Sequence, residues 1–276
     1  MSRHPRRQIA QETVSIIERG GYAGPSGRTV PLADGLAEAV RGTVLYRPDE
    51  LDDLLRGLPT PRPGVETRIE VTDETTLAAA RRLRARGTVP FALNFASAKN
   101  PGGGFLKGAH AQEEGLARSS GLYASLRSAK EFYDFHRAQG DLLYSDHMIY
   151  SPGVPVFRDD EGRLLDEPYE VAFLTSPAPN RGAIRDDAKA ALIRDVLHRR
   201  ARKLLAVAVA NDHRRLVLGA WGCGVFGNDP VEVAEVFADL LRPGREFDGR
   251  FEHVVFAVWD TAPGSPRHAA FRDVFA

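Results

Sequence analysis

The chain has 276 residues, enough to bury a sizeable core in one large domain or two small ones. Its 37 Lys+Arg balance 37 Asp+Glu, so no net charge marks it for nucleic acid or an acidic membrane surface. The single cysteine, Cys223, excludes an internal disulfide, and no signal-peptide core or membrane-length apolar run is present, so a soluble, cytoplasmic protein is expected.

Arg6 to Arg19 suits a helix with Ile9, Thr13, Ile16 and Ile17 on one side, ended by Gly20-Gly21. Tyr22 to Val30 reads as a turn or hairpin, Leu32 to Arg41 as helix, Thr43 to Tyr46 as a short strand, and Pro48 to Leu58 as helix. Pro59-Thr60-Pro61-Arg62-Pro63-Gly64 is the best linker candidate. Residues 1–60 are therefore read as a mainly helical extension packed on a core domain of residues 61–276. Beyond the linker, strand and helix alternate. Thr67 to Val71 is a strand, and a helix runs from Thr72-Asp73-Glu74 through Arg81, Arg82, Arg84 and Arg86 to Gly87. Val89 to Leu93 is a buried strand whose extended run stops at Asn100-Pro101, because proline donates nothing to a ladder. Gln112 to Tyr123 and Ser128 to Arg137 are helical; His147 to Tyr150 and Val154 to Phe157 are strands broken at Pro152-Gly153. Tyr169 to Leu174 is a strand, Ile184 to Ala210 a long helix, Leu216 to Gly219 a strand, Pro230 to Leu241 a helix and Val254 to Val258 the last strand. The alternation predicts a parallel or mixed sheet with helices on both faces.

Two glycine-rich stretches follow buried strands. The first, Gly102-Gly103-Gly104, is followed seven residues later by Gln112-Glu113-Glu114 at a helix start. Bare backbone can nest an anion such as a phosphate, and adjacent glutamates offer acid–base chemistry. The second, Gly222-Cys223-Gly224-Val225-Phe226-Gly227, fits G-x-G-x-x-G. That fingerprint usually opens a Rossmann domain, whereas this copy falls near the last strand, and neither Glu246 nor Asp248 ends a second strand. A dinucleotide oxidoreductase is thus disfavoured, while a diphosphate near a helix start still suits the loop. Two such loops at the carboxyl ends of strands could share one crevice for a diphosphate-bridged nucleotide. The eight histidines show no metal-ligand spacing, and Cys223 has no evident histidine partner.

The triple glycine followed by Gln-Glu-Glu resembles the signature of the poly(ADP-ribose) glycohydrolases. Asn94 to Pro101, Leu116 to Tyr123, Met148 to Asp159 and Trp221 to Asp229 are similar to the microbial type of that family. The resemblance implies a macrodomain-like three-layer α/β/α fold with a mixed central sheet and ADP-ribose in a cleft at its crest. Glu114 matches the catalytic glutamate and Glu113 the neighbour that holds the reacting ribose. Asn100 falls where the ribose is contacted, and Gln112 completes the substrate-binding motif. Gly102, Gly103 and Gly104, with Gly222, Gly224, Val225 and Gly227, match the diphosphate loops, and Phe226 an aromatic on the distal ribose. Lys107 and His110 depart from the small residues expected in that loop.

The implied reaction is hydrolysis of the ribose–ribose O-glycosidic bond, needing no cofactor and no metal. The implied partners are poly(ADP-ribose) and ADP-ribosylated proteins, with ADP-ribose as product, a monomeric state, no direct nucleic acid or membrane contact, and a place in the DNA damage response. Adjacent residues on a helix point about 100° apart, so one glutamate switching between acid and base fits better than two flanking the bond. A non-catalytic ADP-ribose reader would keep both loops but have no use for Gln112-Glu113-Glu114. Basic runs at Arg81–Arg86 and at His198, Arg199, Arg200, Arg202 and Lys203 read as solvated faces. Arg267, after the last strand, is a candidate for the adenosine ribose.

Overall fold

The computed structural model describes residues 2–61, 64–85 and 87–276. Arg62 and Pro63 of the expected linker, and Arg86 of the first basic run, lie outside the described residues. The N-terminal part comprises α1 (Arg3–Arg19), β1 (Gly21–Ala23), β2 (Thr29–Pro31), α2 (Ala33–Arg41), β3 (Val44–Tyr46) and α3 (Pro48–Arg56). Then come β4 (Arg68–Thr72), α4 (Thr76–Arg84), β5 (Phe91–Phe95), α5 (Gln112–Ser119), α6 (Leu122–Ser128) and α7 (Lys130–Gln139). The chain closes with β6 (Met148–Arg158), β7 (Leu164–Ser176), α8 (Asp187–Ala191), α9 (Ile193–Ala210), β8 (Arg215–Leu218), α10 (Pro230–Leu241), β9 (His253–Ala257) and α11 (Pro266–Phe275).

Seven strands form one mixed sheet in the order β3-β6-β7-β5-β8-β9-β4. The strands β7, β5, β8, β9 and β4 run parallel, and β6 and β3 join antiparallel. The central strands are apolar on both faces because helices cover both. Alternate residues serve opposite layers: Phe91 and Leu93 of β5 pack with α9 and α10, and Ala92 packs with α4, α6 and α7. In β8, Leu216 and Leu218 face one layer and Val217 the other. The expected three-layer α/β/α architecture with a mixed sheet is present.

The N-terminal segment does more than pack on this core, since β3 is the edge strand of the main sheet, paired to β6 through Leu45–Ile149. Its helix α1 ends at Gly20, where a φ of +70° lets the chain turn into the β1–β2 hairpin.

Several boundaries differ from the sequence-based expectation. The helix at Gln112 stops at Ser119, because Ser120 bridges to Val156 and the Gly121 N–H donates to Pro155 O at 2.9 Å. The Pro152-Gly153 break is a bulge within one continuous strand, β6, with Gly153 at φ +54°. The long helix expected from Ile184 is split at Leu192 into α8 and α9, and the segment after the last strand, for which no element was expected, holds the helix α11.

Candidate active site

The carboxyl end of β5 and the start of α5 build the first half of the site. β5 ends at Phe95, earlier than Pro101 alone would require. The Phe95 N–H, which a neighbouring strand would otherwise take, donates to Gln112 Oε1 at 2.9 Å. Gln112 Nε2 donates to Leu93 O at 2.7 Å and to Thr76 Oγ1 at 3.1 Å. Both ends of the Gln112 amide are engaged with the chain, which pins the first residue of α5 to β5.

Glu113 and Glu114 follow on that pinned turn. Glu113 is buried, its Oε2 accepting the Ser97 N–H at 2.6 Å and its Oε1 the Asn94 Nδ2 at 3.3 Å. Burial pushes its carboxyl up to about 8, against the lowering hydrogen bonds from Ser97, Asn94 and the Gly102 backbone. Glu114 is half-buried; its Oε1 accepts the Gly104 N–H at 2.9 Å. Its Oε2 makes no hydrogen bond among the described residues. Both carboxyls close on Gly103. A Cβ at that glycine would lie 2.3 Å from Glu114 Oε1 and 3.1 Å from Glu113 Oε2, and its φ is +59°. Glycine is thus required twice over, by backbone conformation and by space.

The triple glycine was expected to offer bare N–H groups to a phosphate, but its amides are already engaged. Gly102 serves Glu113, Gly103 N donates to Asn100 O at 3.0 Å and Gly104 N serves Glu114. The anions this turn nests are the chain's own glutamates. Asn100 is exposed, with its N–H donating to Ser97 Oγ at 3.2 Å.

The second loop fits the phosphate role better. Between β8 and α10, Cys223 N and Gly227 N close turns onto Ala220 O and Gly224 O, whereas the N–H groups of Gly222, Gly224, Val225 and Phe226 make no hydrogen bond among the described residues. Asn228, buried, anchors the loop by donating Nδ2 to Pro179 O at 2.8 Å and to Gly222 O at 3.2 Å. Gly222 has a φ of +74°, and a Cβ there would fall 2.4 Å from Ala178 Cβ and 2.5 Å from Asn228 Nδ2. Val225 stands at the tip, 85% exposed. Phe226 packs on Tyr144, ring centroids 5.8 Å apart, and accepts the Gly182 N–H on its carbonyl at 2.9 Å.

Behind this aromatic pair lies a buried ion cluster. Arg200, fully buried in the basic run expected to be a solvated face, donates to Asp146 Oδ1, Pro177 O, Leu143 O and Tyr144 O at 2.7–3.3 Å. Burial alone would raise Asp146, but Arg199, Arg200 and Lys203 outweigh it and hold the carboxyl well below its ordinary range. Tyr144, at φ +57°, is thus held by its own carbonyl. Arg267 pairs with Asp260, holding that carboxyl down to about 2, and its charge reaches Cys223, so it borders the second loop. Burial pushes the Cys223 thiol up to about 12, which leaves it without thiolate character. Among the described residues no group of three or more His, Cys, Asp or Glu could hold a metal ion, and no helix is long and apolar enough to cross a membrane.

Sequence reasoning missed Asn94, Ser97 and Tyr144. Asn94 had a visible signal, a lone amide in an apolar strand; Tyr144 had none.

The model of the microbial-type PARG catalytic domain matches residues 10–159, which hold Asn94, Gln112, Glu113 and Glu114. The chain belongs to the microbial-type poly(ADP-ribose) glycohydrolase family. It is similar, at 69% identity and a TM-score of 0.97, to the crystal structure of poly(ADP-ribose) glycohydrolase from Thermomonospora curvata, covering 99% of this chain and 100% of that one. The same glycohydrolase bound to the inhibitor ADP-HPD matches at 68% identity and a TM-score of 0.93, covering 98% of this chain and 99% of that one. The Deinococcus radiodurans poly(ADP-ribose) glycohydrolase in complex with ADP-ribose matches at 51% identity and a TM-score of 0.83, covering 87% of this chain and 97% of that one. A comparison with curated proteins finds no match. Membership of the glycohydrolase family removes the dinucleotide-oxidoreductase reading of G-x-G-x-x-G.

Proposed function

We propose that this member of the family hydrolyses the ribose–ribose O-glycosidic bonds of poly(ADP-ribose) and releases ADP-ribose, with Glu114 as the general acid and base. The observation that carries the proposal is the asymmetry of Glu114: one carboxyl oxygen, beside Gly103, is tied to Gly104 N–H at 2.9 Å, and the other makes no hydrogen bond among the described residues. The fixed oxygen sets the orientation, and the other handles the proton.

In the first step Glu114 Oε2 gives its proton to the departing ribosyl oxygen as the glycosidic bond breaks, leaving an oxocarbenium-like ribose. Glu114, now a carboxylate, takes a proton from water as the water oxygen bonds to the anomeric carbon, which restores the acid. Glu113 lies beneath, fixed by Asn94 and Ser97, and holds the ribose beside Gly103. Asn100 contacts the same ribose from the loop. The diphosphate lies on the amides of Gly222, Gly224, Val225 and Phe226, close to the N-terminus of α10. Phe226, backed by Tyr144, packs on the distal ribose. In this reading Arg267, held by Asp260, contacts the adenosine ribose. Poly(ADP-ribose), ADP-ribosylated proteins and ADP-ribose are the partners of this reading, and a cytoplasmic monomer with a free Cys223 suits it.

The test is incubation with poly(ADP-ribose) and measurement of free ADP-ribose, for the parent and for Glu114→Ala. The parent releases ADP-ribose; Glu114→Ala releases none yet binds ADP-ribose nearly as well. Equal release by both proteins, or loss of ADP-ribose binding in Glu114→Ala, would refute the assignment of Glu114.

A further inference from the structure

The first turns of α1 and the tip of the loop between Gly104 and Gln112 form one basic surface beside Glu114. Arg3 Nε donates to Lys107 O and Arg6 Nε to Gly108 O, each at 3.0 Å. Gly108 permits this close approach: a Cβ there would lie 2.5 Å from Arg3 O and 2.9 Å from Arg7 Cγ, and its φ is +77°. Four basic side chains, those of Arg3, Arg6, Arg7 and Lys107, are thereby gathered on two elements. Arg3, Arg7 and Lys107 are exposed, and among the described residues none of the three forms an ion pair. Glu12, on the same helix, is taken by Arg158 at 2.7 Å. Arginines of the α9 region contrast with this, since Arg194, Arg199 and Arg202 meet carboxylates at 2.8, 2.7 and 2.6 Å.

The surface adjoins the reacting end of the cleft. Arg118, buried in α5, donates to Ala109 O at 2.7 Å and faces His110 Nδ1 at 3.0 Å, and the charge of Glu114 reaches both. A guanidinium only donates, so His110 accepts and adds no charge of its own. The second loop lies in the other direction. α1 is tied to Arg158 at the end of β6, and β7 and β5 stand between β6 and β8. A unit with its diphosphate on the second loop and its distal, reacting ribose at Glu114 therefore turns the group leaving the anomeric carbon toward α1.

We propose that Arg3, Arg6, Arg7 and Lys107 form a subsite for the diphosphates of the departing part of a poly(ADP-ribose) chain, beyond the bond that is cut. This rests on the glycohydrolase reading of Glu114. Each departing unit carries a diphosphate, and the exposed cations of Arg3, Arg7 and Lys107 attract such a polyanion in a salt-dependent way. Lys107, unexpected in this loop, thereby gains a role.

The test is Arg7→Glu/Lys107→Glu, two side chains that make no hydrogen bond among the described residues, with Arg7→Gln/Lys107→Gln as a gentler second variant. Affinity for long poly(ADP-ribose) and for ADP-ribose is measured in the Glu114→Ala background, where the polymer survives, at low and physiological salt. The charge-reversed variant is expected to bind polymer about tenfold more weakly, with a shallower salt dependence and unchanged affinity for ADP-ribose. Unchanged polymer affinity overturns the proposal. So does an equal loss for ADP-ribose alone, or an equal loss for a DNA oligonucleotide of matched charge. If a Glu114-intact protein releases no ADP-ribose, the glycohydrolase reading fails, while the ratio of polymer to ADP-ribose affinity still reports on the subsite.

Discussion

Replacing Gln112 with alanine removes three hydrogen bonds from beneath the acidic turn. β5 registers with β8 only at Phe91 and Ala92, and beyond that point the two strands diverge. Ala96 N bonds to Ser176 O of β7, so the alternate groups Leu93 O and Phe95 N point to the opposite edge of β5. The Gln112 amide stands there in place of a strand. Without it, two backbone groups lose their partners, at about 1–3 kcal/mol each. Water entering the space left by the side chain offsets part of this, so Gln112→Ala should lose about 3 kcal/mol of stability. The start of α5 loosens with it, and a misplacement of about 1 Å at Glu114 costs roughly 100-fold in rate. Urea unfolding gives the first quantity, and kcat on poly(ADP-ribose) gives the second. Gln112→Glu sharpens the test: it keeps the shape and the acceptor for Phe95 N–H, yet sets a carboxylate against Leu93 O, so it should be no better than alanine. If Gln112→Ala stays within about 0.5 kcal/mol of the parent, the typical range for an inconsequential surface change, with an unaltered kcat, the clamp is not what positions the turn.

Other expectations concern the carboxyls and the distal wall. Gly103→Ala forces a Cβ to within 2.3 Å of Glu114 Oε1 at a φ of +59°, so kcat should fall steeply while ADP-ribose affinity changes little; equal kcat values would show that the carboxyl tolerates displacement. Glu113, raised from 4.5 to about 8, keeps a proton in the folded state that the unfolded chain gives up, so its contribution to stability is full at low pH and is lost as pH rises through about 8. Glu113→Gln should remove that decline, making the variant gain on the parent as pH increases; parallel unfolding profiles across the pH range would contradict this. Arg200→Met strips four hydrogen bonds from Asp146, Pro177, Leu143 and Tyr144 and breaks a buried ion pair, at a cost of about 3–5 kcal/mol. Because Tyr144 backs Phe226, ADP-ribose affinity should fall at temperatures where the variant is still folded; unchanged affinity would detach the ion cluster from the site.

The architecture was legible where local chemistry and tertiary context agree. β5, β8 and β9 read as apolar runs because they are buried on both faces, and the start of α10 was legible because Asp229 caps it, accepting the Val231 N–H at 2.8 Å, and Pro230 opens its first turn. What failed was decided by partners far along the chain. Ser120 leaves the helix for a bridge to Val156, and nothing in Leu116–Tyr123 announces that strand. Arg200 sits in a run of basic residues that looks solvated, and only the folded position of Asp146 accounts for its burial. The site behaved likewise. Glu113 and Glu114 were visible from their motif, whereas the division of labour among the glycine amides was not, since it depends on where each N–H points.

That division bears on how one carboxyl can serve a reaction that often uses two. Adjacent residues on a helix diverge, yet both glutamates end beside Gly103, because the turn before α5 folds back over them. Their environments then separate them. Glu113 has both oxygens engaged and is buried, so the site gains a fixed floor but no mobile proton from it. Glu114 has one oxygen held and sits at the surface of the cleft. In the proposed mechanism Glu114 alone moves the proton, so a proton given by Glu114 must return to Glu114. For that return, water has to approach the anomeric carbon from the face on which Glu114 stands, after the leaving group has moved off. A leaving chain drawn toward the cations on α1 would clear that face, which links the rate of the second step to Arg7 and Lys107. Charge reversal there should then slow turnover on long chains more than on short ones, and equal slowing on both would break the link.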